Sequence, residues 1–386
     1  MRIVHVAGEL SVLMGGPTTS ITGDCLASRL KGHEIVVVTP AYQGSTSQSE
    51  SALREAGCVV ATASGGPTGR LRLWVLSPAM LVLIWRETRR AELIHVHGPW
   101  WLPGLFALVV ARMRGVPAVL TPHGSLIVGD RHSGSGITRR MKAALRPLID
   151  RLSDAIVYGS PMELALSRTR ASARKSLVIW HALQVPPESV PSADAGAGTF
   201  VVGFLGRLHP VKNVETLIRA VSLLSGDCQL KLAGDGVESY VGTLRKLAQD
   251  EATGRDIQFV GKVDGLTKMS FLRHLDVLVL PSWSESFGLA AAEAMVVGTP
   301  VIVSDRSGIA DLVRSHDGGL VVSPTPQALA AAIDRFRLEP EWRARVAHNA
   351  LSVADTLSMQ AHAAALDAVY EQAAARHAGR GRSRNG

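Results

Sequence analysis

The chain has 386 residues, 46% of them apolar and 19% charged, which is enough to bury two or three sizeable cores. Its three cysteines, Cys25, Cys58 and Cys228, are widely spaced, which excludes a disulfide scaffold or a zinc ribbon and suggests a reducing compartment. The formal net charge of +8 suits nucleotides or an anionic membrane surface, but no stripe of interleaved aromatics accompanies it, so no nucleic-acid partner is expected.

Residues 2–7 open the chain as a strand rather than as a basic segment before an apolar run, so no secretory signal is expected. Residues 34–39, 58–63, 93–97, 118–121 and 155–158 continue as short buried strands, with Gly/Pro turns and amphipathic stretches between them. The apolar run 71–85 is interrupted by Ser77-Pro78, bracketed by Arg72 and Arg86, and too short to span a membrane. It has two readings. As an interfacial helix it would set Trp74 and Trp85 at headgroup level with Arg89 and Arg90 on anionic lipid; as a helix before a buried strand it would be core.

The pattern repeats in the second half, at 200–205, 229–233, 257–260, 277–280, 301–304 and 319–322. Between the halves, residues 186–198 are rich in Pro, Ala and Gly and read as a linker. The expected fold is therefore α/β: two doubly wound Rossmann-like domains, residues 1–185 and 199–356, facing a cleft. Ligands would bind at the carboxyl ends of the strands. Helical stretches fill residues 340–372. Residues 376–386 are basic, glycine-rich and without apolar anchors, and are expected to be disordered.

Several turns carry chemistry. Gly15-Gly16-Pro17 precedes a helix at 18–30 and lets the backbone press on a phosphate or sugar, though the spacing is not that of a dinucleotide fingerprint. His95 and His97 alternate along a strand, but no carboxylate or third ligand stands at a plausible spacing, so no metal site is expected. Trp100 and Trp101 follow, to pack or to line an acceptor site. His123 lies just past a strand end between a rigid Pro122 and a small Gly124, where a neutral imidazole can hydrogen-bond a hydroxyl. Arg131, Arg139, Arg140 and Lys142 form either a basic rim for an anionic acceptor or a solvated helix face.

In the second half, a strand ends in Gly206-Arg207, a proline turn follows, and Lys212-Asn213 opens a helix. Ala233-Gly234-Asp235-Gly236 is another strand exit. The apolar strand 277–280 feeds the loop Pro281–Gly288, and Leu289–Met295 continues as helix. The N–H groups that open this helix suit a phosphate, and Gly288 allows close approach. Glu285 stands in the loop. Glu293 stands in the helix, roughly 7 Å along the axis from Gly288 at 1.5 Å per residue, which can separate a phosphate from the ribose of one nucleotide.

Taken together, these segments resemble the retaining glycosyltransferases of family 4, which have the GT-B fold and use nucleotide-sugars. Glu285 and Glu293 have the spacing of the family's E-x7-E motif, with Phe287-Gly288-Leu289 inside it and Gly298-Thr299-Pro300-Val301-Ile302 after it. Gly206-Arg207 with Lys212-Asn213 resembles its G-R-x-x-x-x-K-N element, and the Gly15-Gly16-Pro17, His97, His123-Gly124 and Gly234-Asp235-Gly236 segments match as well. The likeness runs to about Tyr370 and is strongest in the second half. It implies transfer of a sugar from a nucleoside diphosphate to an acceptor hydroxyl with retention. Arg207 and Lys212 would neutralise the leaving diphosphate, His123 and Glu285 would hold the transferred sugar, and Glu293 the ribose. Gly15, Gly16, Gly206, Gly234, Phe287, Gly288 and Leu289 would contact the donor. The helix at 357–375 would cross back onto the first domain.

No D-x-D pair is present, so metal-independent transfer without a cofactor is implied, the leaving phosphate oxygen helping to take the acceptor proton. A glycan or lipid-linked acceptor is the family default, which places the chain in the cytoplasm or peripherally on the inner membrane face, in polysaccharide or lipid-linked glycan synthesis. Two departures concern donor-sugar identity. Ile179-Trp180-His181-Ala182-Leu183 replaces a P-N-G-x-D segment, and Ser307-Gly308-Ile309-Ala310-Asp311 replaces G-G-x-x-E. A GT-B epimerase or phosphorylase, or a non-catalytic nucleotide-sugar-binding subunit, is the alternative.

Overall fold

A computed structural model describes residues 1–8, 10, 16–41, 48–63, 78–127, 136–183 and 199–382. The chain divides into two compact units, one made of Met1–Ala182 with Met359–Gly386, the other of Leu183–Ser358. The expected linker at 186–198 lies outside the described residues.

Seven strands form the first unit's sheet: β1 (Arg2–Val6), β2 (Glu34–Pro40), β3 (Val59–Ala63), β4 (Leu93–His97), β5 (Ala118–Thr121), β6 (Ala155–Tyr158) and β7 (Ser176–Val178). They lie in the order β3-β2-β1-β4-β5-β6-β7. Every pairing is parallel. Runs such as Ile35-Val36-Val37-Val38 are buried on both faces, so helices must cover both sides. Sequence reasoning missed β7 because its three half-buried residues, Ser-Leu-Val, carry too little pattern to read.

The second unit's sheet contains β8 (Val201–Leu205), β9 (Gln229–Ala233), β10 (Asp256–Gly261), β11 (Val277–Leu280), β12 (Val301–Ser304) and β13 (Gly319–Val322). The order is β10-β9-β8-β11-β12-β13, again parallel throughout. Each sheet therefore reverses its winding direction once, between β1 and β4 in the first unit and between β8 and β11 in the second. In such sheets the crevice at the carboxyl ends beside that reversal is where ligands bind.

The terminal helix, Met359–Arg382, belongs to the first unit. Leu366, Val369, Tyr370 and Ala373 recur at helical spacing and pack with Ile3, Ile35 and Leu93. The helix continues to Arg382, which corrects the expectation that the chain is disordered from residue 376. The anchor there is a buried carboxylate, not an apolar side chain. Asp154 binds His377 Nδ1 at 3.0 Å and Arg380 Nη1 at 2.9 Å. A search for apolar anchors could not have found it.

Of the apolar run 71–85, residues 71–77, Trp74 among them, lie outside the described residues. The helix Pro78–Glu87 sets Met80 and Ile84 in the core and leaves Val82 exposed. Trp85 is capped by the Arg114 guanidinium, 4.0 Å from its ring centroid. Among the described residues, no helix is long and apolar enough to cross a membrane.

Candidate active site

In the second unit, two loops at the carboxyl ends of the neighbouring strands β8 and β11 are stitched together. After Gly206-Arg207 the chain makes a tight 3-10 turn, Pro210–Lys212, which His209 caps by accepting from Val211 N at 3.2 Å. Asn213 then adopts a left-handed conformation, φ 56°, and its side-chain amide donates to Pro281 O at 3.0 Å. Trp283 N returns a bond to Val211 O at 2.9 Å. The consequence is a direct ion pair between the Lys212 ammonium and the Glu285 carboxylate, both largely buried. Glu285 is fixed through its backbone as well, donating to Arg306 O at 3.1 Å and accepting from Gly308 N at 2.8 Å. Arg207 is exposed and makes no hydrogen bond or ion pair among the described residues.

Gly288 caps the helix Leu289–Val296 at φ 113°, and a Cβ there would stand 3.0 Å from Ile309 Cγ2 and 3.1 Å from Ser307 Oγ. Only glycine combines that dihedral with that space. Glu293 pairs with Lys268 at 2.5 Å, a partner no motif announced, because Lys268 comes from the separate helix Gly265–Arg273. Gly234 has a packing role: a Cβ on it would collide with Gly206 O at 1.9 Å, so the two glycines let the exits of β8 and β9 touch. Phe287 is turned into the core and is only 3% exposed, and its carbonyl accepts from Ile309 N at 2.6 Å. Leu289 is half-buried at the helix start.

The first unit places its motif residues at its own reversal point. The register pairs His5 of β1 with His95 of β4, and His97 ends the same strand. A file of imidazoles follows, with His5 Nδ1 3.0 Å from His97 Nε2 and His97 Nδ1 3.1 Å from His123 Nε2. His181 stacks on His123 at 6.2 Å and bonds Ser20 through Nδ1 at 2.8 Å. Burial pushes His5 and His123 down to about 4 and His181 to about 3, so these rings are neutral near pH 7. Each neutral ring has one donor and one acceptor nitrogen, so hydrogen bonds can pass from His5 through His97 to His123, while His5 Nε2 is buried without a partner among the described residues.

His362, on the terminal helix, is different. Its Nε2 meets Asp24 Oδ1 at 2.8 Å and its Nδ1 meets Trp180 O at 2.7 Å. Both partners are acceptors, so both nitrogens must carry hydrogens and the ring is an imidazolium. Burial opposes that charge, but the Asp24 carboxylate outweighs it and raises the His362 pKa; the same contact holds Asp24 below the usual carboxylate range.

His123 itself sits in a left-handed conformation, φ 50°, followed by Gly124 at φ 78°. The strained turn is held by Glu163. One carboxylate oxygen accepts from Gly124 N at 2.5 Å and the other from Gly159 N at 2.8 Å. Burial pushes the Glu163 carboxyl up to about 7, with the two N–H groups pulling the other way. The Trp100 indole donates to Ser125 O at 2.6 Å and the Trp101 indole to His97 O at 3.2 Å, so the tryptophans brace both histidine turns.

Sequence reasoning missed His5, His181 and Glu163, since nothing local links them to His123. Strand register supplies the third imidazole that spacing along β4 could not: nitrogens of His5, His95 and His97 lie within 4.8 Å of one another. Hydrogen bonds already occupy most of them, including both on His95, to Tyr370 Oη at 2.9 Å and Thr121 Oγ1 at 2.8 Å. Gly16 is the exposed first residue of the helix Gly16–Leu30, while Gly15 and Arg131 lie outside the described residues. Arg139 and Arg140 are exposed, and Lys142 reaches over Trp100, 5.6 Å from its centroid.

Comparison with known families agrees with both halves of this arrangement. The family model described as "Glycosyl transferase 4-like domain" matches residues 15–181, and "Glycosyl transferases group 1" matches residues 188–353. The chain belongs to glycosyltransferase family 4. A D-inositol 3-phosphate glycosyltransferase of Nocardiopsis dassonvillei is 29% identical over 325 residues, 76% of this chain and 75% of that protein. A glycogen synthase of Mycobacterium tuberculosis is 28% identical over 380 residues, 91% and 90% of the two chains. Among solved structures, Anabaena Alr3699/HepE in complex with UDP and glucose superposes with a TM-score of 0.76 at 19% identity, covering 96% of this chain and 99% of that one. The fold of this family 4 glycosyltransferase is therefore GT-B.

Proposed function

We propose that this glycosyltransferase moves a sugar from a nucleoside diphosphate to an acceptor hydroxyl with retention at the anomeric carbon and without a divalent metal. The observation that carries the reading is the stitched pair of loops on β8 and β11, which joins Lys212 to Glu285 at the reversal point of the sheet and leaves Arg207 exposed, with no ion-pair partner among the described residues. Breaking a glycosyl–phosphate bond leaves negative charge on the diphosphate. Cations fixed beforehand stabilise that charge as it forms, at no cost of reorganisation. Arg207 offers a planar fork to phosphate oxygens, and Lys212 a point charge held in place by Glu285. Glu285, once its ammonium partner leans toward phosphate, has an oxygen for sugar hydroxyls, and Glu293 serves the ribose. His123, neutral at working pH, donates or accepts at the transferred sugar. The donor's own phosphate oxygen takes the acceptor proton, so no protein base is assigned. UDP and glucose in the HepE structure support this choice of donor class, and the inositol-phosphate and glycogen relatives support a hydroxyl-bearing acceptor.

Calorimetric titration with UDP, GDP and ADP against the matching monophosphates tests the cation assignment. One diphosphate should bind, and Arg207→Ala and Lys212→Ala should each weaken it by roughly tenfold or more while changing monophosphate binding less. Unchanged diphosphate affinity in both variants would remove the reading.

A further inference from the structure

Two adjoining cavities of about 330 and 450 Å³ open in the first unit and share Ala171, Lys175 and Arg380. Lys175 directly precedes β7, and its ammonium donates to Ser153 O at 2.8 Å, just before β6. The cavities therefore sit at the amino ends of these strands. His97 and His123 lie at or just past the carboxyl ends of β4 and β5, and because the sheet is parallel that is its opposite edge.

The walls carry six cations, Arg112, Arg151, Arg174, Lys175, Arg376 and Arg380, against one carboxylate, Asp150. The carboxylates nearby are already engaged. Asp150 accepts from Arg146 at 3.0 Å and Thr169 at 2.6 Å. Asp154 accepts from His377, Arg380 and the Ala118 N–H. The guanidinium groups of Arg112, Arg151 and Arg174 make no hydrogen bond or ion pair among the described residues. Lys175 is only 6% exposed, and among the described residues its ammonium has one carbonyl partner, Ser153 O, and no carboxylate within ion-pair distance. Burial, and then the charge of Arg380, push its pKa down to about 8, so it still carries charge near pH 7. A buried ammonium with spare N–H groups, facing a cavity walled by guanidinium groups, lacks a counter-ion.

We propose that this pocket binds a phosphate group, separately from the donor loops of the second unit. A phosphate presents several acceptor oxygens and up to two charges, which match the Lys175 ammonium together with the guanidinium forks better than a single carboxylate does. Occupancy would also tie the terminal helix, through Arg376 and Arg380, to the segment before β7.

The test uses the full chain with inorganic phosphate and pyrophosphate, read by calorimetry and thermal unfolding against chloride of equal ionic strength. Because Arg207 and Lys212 are expected to take phosphate as well, the background is Arg207→Ala/Lys212→Ala. Phosphate should bind saturably and raise Tm in that background, and adding Arg151→Ala/Arg174→Ala, or Lys175→Met, should weaken binding at least roughly tenfold. In phosphate-free buffer Lys175→Met should be no less stable than its parent, since it removes an unpaired buried charge. Binding that survives both sets of substitutions, or a Tm response that chloride reproduces, would mean an adventitious ion only and overturn the proposal, as would a Lys175→Met chain destabilised without phosphate. Vesicles with and without phosphatidylglycerol separate the sources: binding that depends on Lys175 and on the anionic lipid assigns a headgroup, and response to free phosphate alone assigns a soluble ligand.

Discussion

Lys212 and Glu285 neutralise one another, while Arg207 has no partner among the described residues. The two cations should therefore fail differently. Arg207→Ala removes a group with no structural partner, so turnover should fall by about 10²–10³ with unfolding unchanged. Lys212→Ala should cost as much turnover, and it also leaves Glu285 largely buried without its cation, so its Tm should fall. Steady-state kinetics beside thermal unfolding checks both; equal Tm losses in the two variants would contradict the pairing. Glu163 is read the same way. Its two oxygens each accept an N–H, whereas glutamine has one acceptor and would turn an NH₂ toward a donor. Glu163→Gln should cost about 1–3 kcal/mol in denaturant unfolding. Glu285, Glu293, Arg207 and Lys212 were legible in the sequence because their motifs are local. Glu163, Lys268 and His181 were not, because each acts on a residue far away in the chain.

At the scale of elements, the strands were readable because runs of β-branched residues buried on both faces leave a continuous apolar signal. The end of the terminal helix was not, because hydrogen bonds from His377 and Arg380 to Asp154 hold it rather than apolar packing. Truncation after Ala375 should remove both partners and destabilise the chain by about 3 kcal/mol, the scale of breaking a buried pair. A Tm unchanged by truncation would contradict the anchor. The histidine file makes a second prediction. The folded pKa values of His5 and His123, about 4, lie below the ordinary 6.5. Stability from each is present above pH 6.5 and is lost as pH falls toward 4, on the order of 3 kcal/mol per ring. His362 runs the other way: its pKa is raised, so its contribution is complete below pH 6.5 and fades as pH rises through its folded value. Asp24 is depressed, so its contribution is complete above the ordinary carboxylate pKa and is lost as pH falls below it toward the lower folded value. Denaturant unfolding from pH 4 to 8 should therefore show stability falling on the acid side, less steeply in His123→Asn. A flat profile would contradict the neutral file.

At the scale of the whole molecule, each unit sets its motif residues where its parallel sheet reverses direction. That is why two alternating strand–helix patterns sufficed to expect two doubly wound domains, and local motifs to resemble a GT-B family, while positions fixed by strand register had to wait for the structure. The reaction proposed is metal-independent retaining transfer from a nucleoside diphosphate sugar. The most direct measurement is transfer from a panel of α-linked nucleoside diphosphate sugars to a defined glycan or lipid acceptor, with excess EDTA or added Mg²⁺, the product's anomeric configuration being read by NMR. An α-linked product from one donor is expected, formed equally under both conditions and lost in Lys212→Ala. A β-linked product, or transfer that EDTA abolishes and Mg²⁺ restores, would contradict it.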